Sequence, residues 1–194
     1  MALSLGIDVS TQGIKAELID PADSSRRFPG VSVNFGADLP HYGAPEGFRP
    51  DPDPLIRQAD PGMWLEALDL LFARMQGAGL PLAEVGMISG SGQQHGSVYL
   101  SGRFAASLAS LDPAGTLAEQ IVPALSRRYA PIWMDRSTSR ECRELDDRFG
   151  DRLRLSTGSP AIERFTGPQL RKFARENPGA FHGTAVLHVV SSFC

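Results

Sequence analysis

The order of apolar segments along this chain predicts an α/β fold built on a mixed sheet. Two strands, expected over residues 3–8 and 14–19, flank a short polar turn, and alternating apolar residues at 31, 33 and 35 predict a third strand. A helix, a strand, a loop, another strand and another helix follow, which is an order typical of α/β proteins. The 194 residues are enough to bury the core of one domain.

Composition narrows the class of protein. The chain is 42% hydrophobic and 21% charged with a formal net charge of −3, as in ordinary soluble globular proteins. The slight acidity argues against nucleic acid as a partner, because phosphate backbones need a concentrated basic face. The sequence has no secretory signal pattern and no apolar run that could span a bilayer. Two cysteines form no disulfide framework or metal-ligand spacing, so we expect a cytoplasmic protein without a membrane partner.

The middle of the chain contains a long loop and a clear helix. Residues 36–59 hold five prolines and are longer than an ordinary connection, which predicts a functional or lid-like segment. Asp60-Pro61 predicts a helix start, and Gly77-Ala78-Gly79 its end. The apolar face of this helix is expected to consist of Trp64, Leu68, Leu71 and Met75.

Short strands and helices are predicted for the rest of the chain. Strands are expected at 85–88, 98–100, 131–134 and 185–190, whereas residues 101–130 give only a weak signal. Thr138-Ser139-Arg140-Glu141 has the spacing of a capping box, with Cys142, Leu145 and Phe149 on the face behind it. A further helix is expected to open at Pro168 and to end at Asn177-Pro178.

The first predicted turn has the composition of a phosphate and metal site. Ser10, Thr11, Gln12 and Gly13 form the turn, and backbone N–H groups in such a turn converge on an anion. Asp8 just before it can hold a hard cation such as Mg²⁺, which usually sits with one or two carboxylates and substrate phosphates. Lys15 just after it is one of only two lysines in the chain. A hairpin with a merely polar tip is the simpler alternative.

Four polar clusters are expected at the carboxyl ends of predicted strands, where ligands bind in open α/β sheets. They are Asp8–Lys15, Gly90–Gly96, Asp135–Thr138 and Ser156–Thr166. Four such clusters at equivalent ends indicate a single cleft. The glycines of the second cluster do not form a dinucleotide fingerprint, because His95 stands at the third glycine position and no acidic residue follows at the expected distance.

Side chains in these clusters suit a polyhydroxylated ligand. The amides of Gln93 and Gln94 and the imidazole of His95 can bond to sugar hydroxyls, although a satisfied loop histidine is the alternative for His95. Asp135 can accept hydrogen bonds from the same ligand or cap the helix that follows. Arg164 carries donors for hydroxyls or an anion, or else pairs with Glu163 in solvent.

Together the motifs resemble those of the FGGY carbohydrate kinases, and of the eukaryotic-type xylulokinases among them. The run Gly6–Lys15 resembles the family's opening Gly-Ile-Asp-x-[Gly/Ser]-Thr-x-x-x-Lys. Ser89–Ser97 is similar to the Ser-Gly-x-[Gln/Met]-His-Gly loop, and Pro131–Thr138 to the Trp-x-Asp-x-[Arg/Ser]-Thr segment. Thr157–Gln169 matches the eukaryotic-type subgroup, and all four motifs occur in the family's order across the chain.

The resemblance implies a ribonuclease H-like (actin-like ATPase) fold and transfer of the ATP γ-phosphate to the 5-hydroxyl of D-xylulose. It implies ATP and Mg²⁺ as cofactors and a pentulose as substrate. Gln94, His95, Asp135 and Arg164 would bind the sugar, Asp8 would lie near Mg²⁺, and Ser10–Gly13 with Lys15 would lie near the transferred phosphate.

The resemblance also implies that half of the machinery lies elsewhere. The family's catalytic base and most of its ATP site belong to a second domain, and no matching residues occur here, so we expect residues 1–194 to be a truncated N-terminal sugar-binding domain, inactive alone. The apolar ending at Leu187–Cys194 also predicts a fragment. A non-catalytic sugar-binding module and an FGGY kinase for glycerol, ribulose or another polyol are the alternatives.

Overall fold

A computed structural model describes residues 2–194 and arranges them around a four-stranded sheet. The strands in chain order are β1 (Leu3–Val9), β2 (Gly13–Ile19), β3 (Val31–Asn34), β4 (Gln58–Ala59), β5 (Val85–Gly92), β6 (Ser97–Ser101), β7 (Ala130–Pro131) and β8 (Thr184–Val189). The helices are α1 (Phe35–Asp38), α2 (Pro61–Gly77), α3 (Phe104–Ala109), α4 (Leu117–Ile121), α5 (Ser139–Thr157), α6 (Thr166–Glu176), α7 (Pro178–His182) and α8 (Val190–Phe193).

The main sheet has the order β3-β2-β1-β5, with β1 antiparallel to β2 and parallel to β5. Two small antiparallel ladders, β4 with β7 and β6 with β8, lie outside it. The chain passes through α2 before it enters β5, the parallel neighbour of β1. This combination of a hairpin with a helical crossover confirms the predicted α/β class. None of the helices formed by residues 2–194 is long and apolar enough to cross a membrane.

The core lies between α2 and one face of the sheet. Alternate residues of the β1–β2 hairpin are buried on that face, as the period of a strand requires: Leu3, Leu5, Val9, Ile14, Ala16 and Leu18. The predicted face of α2 packs against them, with Trp64 and Leu71 fully buried. The Asp60 side chain accepts a hydrogen bond from the N–H of Gly62, so the predicted start of α2 is confirmed.

Some of the predicted strand boundaries are wrong. Phe35 does not continue β3 but begins α1, because the Asn34 side chain caps that helix and accepts a hydrogen bond from the N–H of Ala37. β5 does not end at Ile88 but runs to Gly92, because residues Ser89–Gly92 pair with Gly6–Val9 of β1. The strand predicted at 131–134 is reduced to β7, and the weak region 101–130 contains α3 and α4.

The predicted capping box at the start of α5 does not form. The Thr138 hydroxyl makes no cap bond and donates instead to the Glu163 carbonyl at 2.6 Å. Glu141 is 1% exposed and pairs with Arg175 of α6 at 2.6 Å, so it cannot reach back to the helix start. Phe149, predicted on the packed face, is exposed. Tertiary partners have replaced the local ones at this helix end.

Candidate functional site

The tip of the β1–β2 hairpin presents two free backbone donors. The Ser10 N–H donates to the Gly13 carbonyl at 2.9 Å and closes the turn. Among the residues that the structure describes, the N–H groups of Thr11 and Gln12 have no hydrogen-bond partner. Unpaired N–H groups at neighbouring positions of a tight turn favour an anion. The tip therefore has the chemistry predicted for a phosphate site.

Asp8 lies at the same end of the hairpin and is held as an anion. Its carboxylate accepts hydrogen bonds from the hydroxyls of Ser10 and of Ser91, the latter on β5. These two bonds, with a smaller contribution from the charge of Lys15 opposite Asp8 in the ladder, lower the pKa of Asp8. An ionised carboxylate beside an anion site is suited to a hard cation shared with phosphate.

The long segment 36–59 packs against the backbone of this tip. Gly47 has φ +83°, and a Cβ there would lie 1.7 Å from the Thr11 carbonyl oxygen. Immediately before this segment, the N–H of Phe35 donates to the Gln12 carbonyl at 3.0 Å. Whether the segment moves as a lid stays a prediction, but in the structure it contacts the tip too closely for any side chain at 47.

An open cleft brings the hairpin tip together with most of the predicted sugar-binding residues. It is lined by Asp8, Ser10, Thr11, Gly92, Gln93, Gln94, His95, Trp133 and Arg164. Gln12, Gly13 and Lys15 line an adjoining cleft with Glu46 and Phe48. Residues distant in sequence thus meet beside the candidate phosphate site.

His95 is held in an unusual conformation. It has φ +61° and is the only non-glycine residue with positive φ in the part of the chain that the structure describes, which is a strain often found at binding sites. Its ring lies 4.8 Å from the Phe165 ring, centroid to centroid. Partial burial, and to a lesser extent the charge of Arg164, lower the pKa of His95 and favour the neutral imidazole. A neutral ring can both donate to and accept from hydroxyls.

Trp133 is a site residue that sequence reasoning did not single out. Its side chain is 43% exposed in the cleft, and its indole N–H donates to the Thr11 hydroxyl at 2.9 Å. The residue therefore connects the hairpin tip to the opposite wall of the cleft. Its position in the segment Pro131–Asp135 was visible in the sequence, but its exposure was not, since tryptophan in an apolar run usually indicates core.

Asp135 does not line this cleft. Its side chain is fully buried, and its oxygens accept hydrogen bonds from the N–H of Arg57 and from Ser137 and Gln169. The predicted cap on the following helix is also not its role, since Thr138 occupies that position. The fourth predicted cluster, Ser156–Thr166, follows helix α5 rather than a strand, yet it supplies Arg164 to the cleft.

A metal ion bound here would need oxygen atoms from the ligand as well as from the protein to complete its coordination. No cluster of three or more His, Cys, Asp and Glu side chains within residues 2–194 could hold an ion by itself. The single carboxylate of Asp8 with neighbouring hydroxyls fits Mg²⁺, which keeps several waters and binds through one or two carboxylates plus phosphate oxygens.

The chain is similar to known sugar kinases along almost its whole length. The chain is 41% identical over 195 aligned residues to xylulose kinase 2 of Arabidopsis thaliana, covering 99% of this chain and 35% of that protein. It is 40% identical over 191 residues to xylulose kinase of Rattus norvegicus, with 97% and 35% covered. No family model matches the chain. The chain thus spans about a third of the length of these curated relatives.

Solved structures share the fold at low sequence identity. Xylulose kinase from Rhodospirillum rubrum matches with a TM-score of 0.71 at 17% identity, covering 98% of this chain and 33% of that one. Plasmodium falciparum glycerol kinase with ADP matches with a TM-score of 0.66 at 16% identity, covering 100% and 33%. The expected actin-like architecture is confirmed by this agreement.

Proposed function

We propose a sugar-kinase function for the full-length protein, from the premise that this chain belongs to the FGGY carbohydrate kinases. The activity we propose is that of a xylulokinase, which transfers the γ-phosphate of ATP to the 5-hydroxyl of D-xylulose. One observation carries the proposal. A candidate phosphate site at the hairpin tip and polar side chains suited to a sugar line the same cleft.

In this proposal the two sides of the cleft have different tasks. Gln94, His95 and Arg164 bind the sugar hydroxyls, and the Ser10–Gly13 turn with Lys15 binds the transferred phosphate. Asp8 holds Mg²⁺, which when bound neutralises phosphate charge. Because phosphoryl transfer depends mainly on positioning and charge stabilisation, these residues orient the two reactants and stabilise the charge on the phosphate.

The catalytic base and the rest of the ATP site are proposed to lie outside residues 1–194. Asp8 and Asp135 are poor candidates for the base, since both carboxylates already accept hydrogen bonds from the protein. We propose that this chain is the N-terminal sugar-binding domain and that the remainder of the protein is its main intramolecular partner. The outer edge of β5, with Met87 and Ile88 exposed, offers a surface for that remainder.

We also propose a cytoplasmic location for the protein. Cys142 and Cys194 are free thiols, as expected in a reducing compartment. Cys142 is a buried residue of α5, which gives this thiol a packing role rather than a role in disulfide formation.

The proposal is tested with His95→Ala and Arg164→Ala in the full-length protein. The side of the cleft opposite the hairpin tip, formed by Gln94, His95, Trp133 and Arg164, is called the sugar wall. Each substitution removes one of its side chains, so we expect the KM for D-xylulose to rise about 10- to 100-fold while the KM for ATP changes little. Steady-state kinetics with both substrates varied measure kcat and the KM for each substrate. A panel of ribulose, glycerol and other polyols identifies the preferred acceptor.

Matched controls are His182→Ala and Arg152→Ala, which remove the same side-chain types from exposed positions on α7 and α5. Both controls should keep the wild-type KM for D-xylulose. If His95→Ala and Arg164→Ala behave like these controls, their assignment to sugar binding is wrong. If the full-length protein phosphorylates no polyol, the kinase proposal itself fails and a non-catalytic sugar-binding module is favoured.

A further inference from the structure

A buried polar cluster lies directly behind the wall of the cleft. Asp135 and Thr138 are fully buried, Gln169 is 1% exposed and Lys172 is 8% exposed. Buried polar side chains are costly unless each finds a partner, and apolar residues of similar volume usually pack such a place as well or better. The cluster therefore calls for an explanation beyond packing.

The first connection in the cluster fixes the turn that carries Trp133. The Asp135 carboxylate accepts from the Arg57 N–H at 3.0 Å and from the Ser137 N–H and hydroxyl at 3.0 and 2.6 Å. The Asp135 N–H in turn donates to the Ile132 carbonyl at 2.9 Å, which closes the turn. The indole at the top of this turn reaches the hairpin tip.

The second connection fixes the loop that carries Arg164. The Glu163 carbonyl accepts from the Thr138 hydroxyl at 2.6 Å and from the Gln169 amide at 3.1 Å. Arg164 and Phe165 follow immediately; Arg164 lines the cleft, and the Phe165 ring lies against the His95 ring at a tilt of 32°. The Glu163 carbonyl, which accepts two hydrogen bonds from buried donors, therefore fixes the backbone immediately before Arg164 and Phe165.

Gln169 joins these two connections. Its amide nitrogen donates both to the Glu163 carbonyl and to the Asp135 carboxylate, the latter at 2.8 Å. The negative charge of Asp135 is balanced through Ser137, whose hydroxyl accepts from Lys172 at 2.7 Å and donates to Asp135. One side chain of α6 therefore sets the separation between the Trp133 turn and the Arg164 loop.

We propose that Gln169 is a positioning residue for the sugar wall, with Asp135 as its anchor and Thr138 as its second support. Gln169 acts through Glu163 and Asp135 and orders the Arg164 loop before any ligand binds. In this proposal Asp135 also acts from behind the wall rather than by touching the ligand. Ordering in advance lowers the cost of binding, so the consequence for the sugar rests on the proposed function.

The test compares Gln169→Met with wild type in the full-length protein. Methionine keeps the length of the side chain and removes both donated hydrogen bonds. We expect the KM for D-xylulose to rise about 10-fold while kcat stays within about threefold of wild type. The substitution displaces the wall that binds the sugar and leaves the hairpin tip, which binds the phosphate, in place. Hydrogen exchange of peptides covering residues 132–138 and 159–166 should become faster without any ligand.

The control is Phe173→Leu on the same helix. Phe173 is buried against Tyr99 and makes no contact with the cluster's hydrogen bonds, so it measures loss of α6 packing alone. At matched unfolding temperatures, exchange in the two peptides should be faster for Gln169→Met than for Phe173→Leu. Equal exchange in the two variants would overturn the positioning role.

Thr138→Val provides a second variant if Gln169→Met does not fold. Valine has the same shape as threonine but cannot donate the hydrogen bond to the Glu163 carbonyl. The rise in the KM for D-xylulose and in the exchange rates should each be about a third of that in Gln169→Met. An unchanged exchange rate in residues 159–166 of Thr138→Val also overturns the inference. If the wild-type protein acts on no polyol, the proposed function fails, whereas the exchange measurements still decide the role of Gln169.

Discussion

The hairpin tip and the proposed sugar wall of the cleft are built in different ways. The tip comes from one continuous run, Asp8–Lys15, whose geometry follows from the register of two adjacent strands. The wall comes from three separate segments that contribute His95, Trp133 and Arg164. The tip is held mainly by backbone hydrogen bonds and the wall by a buried side-chain network. The comparison teaches that the tip forms mainly from neighbouring residues, whereas the assembled wall depends on buried residues that do not line the cleft.

The largest expected effect disrupts the packing of segment 36–59 against the tip. Gly47→Ala places a Cβ against the Thr11 carbonyl oxygen, at a position that also has positive φ. We expect the free energy of unfolding to fall by about 2–5 kcal/mol, the sum of left-handed strain and overpacking, with activity of the full-length protein largely lost. Denaturant unfolding and steady-state kinetics measure the two quantities.

Gly43→Ala is the matched control for this substitution. Gly43 also has positive φ, at +61°, but a Cβ there would meet no atom within 4 Å. Only the conformational strain of about 1–2 kcal/mol is then expected. If the two alanine variants lose equal stability, the close contact between Gly47 and Thr11 does not support the tip.

An intermediate effect is expected at Asp8. Asp8→Asn keeps the shape of the side chain and removes its charge, so kcat/KM of the full-length protein should fall about 10²- to 10³-fold. The loss should be largest at low Mg²⁺, which a titration of the metal would show. Glu17→Gln is the control, since Glu17 lies on the exposed face of β2 near Lys15. A kcat/KM that falls equally in both variants would remove Asp8 from the metal site.

The smallest effect concerns the pH dependence of stability. The pKa of His95 is lowered in the folded protein. As the pH falls below the ordinary value near 6.5, His95 therefore takes up a proton in the unfolded chain before it does so in the folded protein. Stability contributed by the neutral ring is therefore present above about pH 6.5 and decreases as pH falls. The unfolding temperature of His95→Gln should fall less between pH 7 and 5 than that of wild type.

His182→Gln controls for the loss of one histidine, since His182 is exposed on α7. It should keep the wild-type pH dependence of the unfolding temperature. An identical pH dependence in His95→Gln and in wild type would contradict the lowered pKa. The wall would then hold His95 in a more solvated state than its contact with Phe165 indicates.

Local patterns predicted the elements whose residues interact within a short span. The β1–β2 hairpin, the N-cap of α2 at Asp60 and the final strand are confirmed because alternation and capping act between near neighbours. The capping box at Thr138 failed because a distant carbonyl at Glu163 competes for the same hydroxyl. The prediction that Phe35 belongs to β3 was wrong for a local reason. Its alternation with Val31 and Val33 is typical of a strand, but the Asn34 side chain caps a helix that begins at Phe35.

The sequence by itself determined the α/β class, the polar hairpin turn at Ser10–Gly13, and the motifs that resemble those of sugar kinases. These properties depend on neighbouring residues and on their order along the chain, which the sequence contains directly. Only the tertiary structure decided that Trp133 joins the cleft, that Asp135 is buried behind it, and that Gln169 connects the two. Burial and hydrogen-bond partners at such positions depend on contacts between distant segments, which no local pattern specifies.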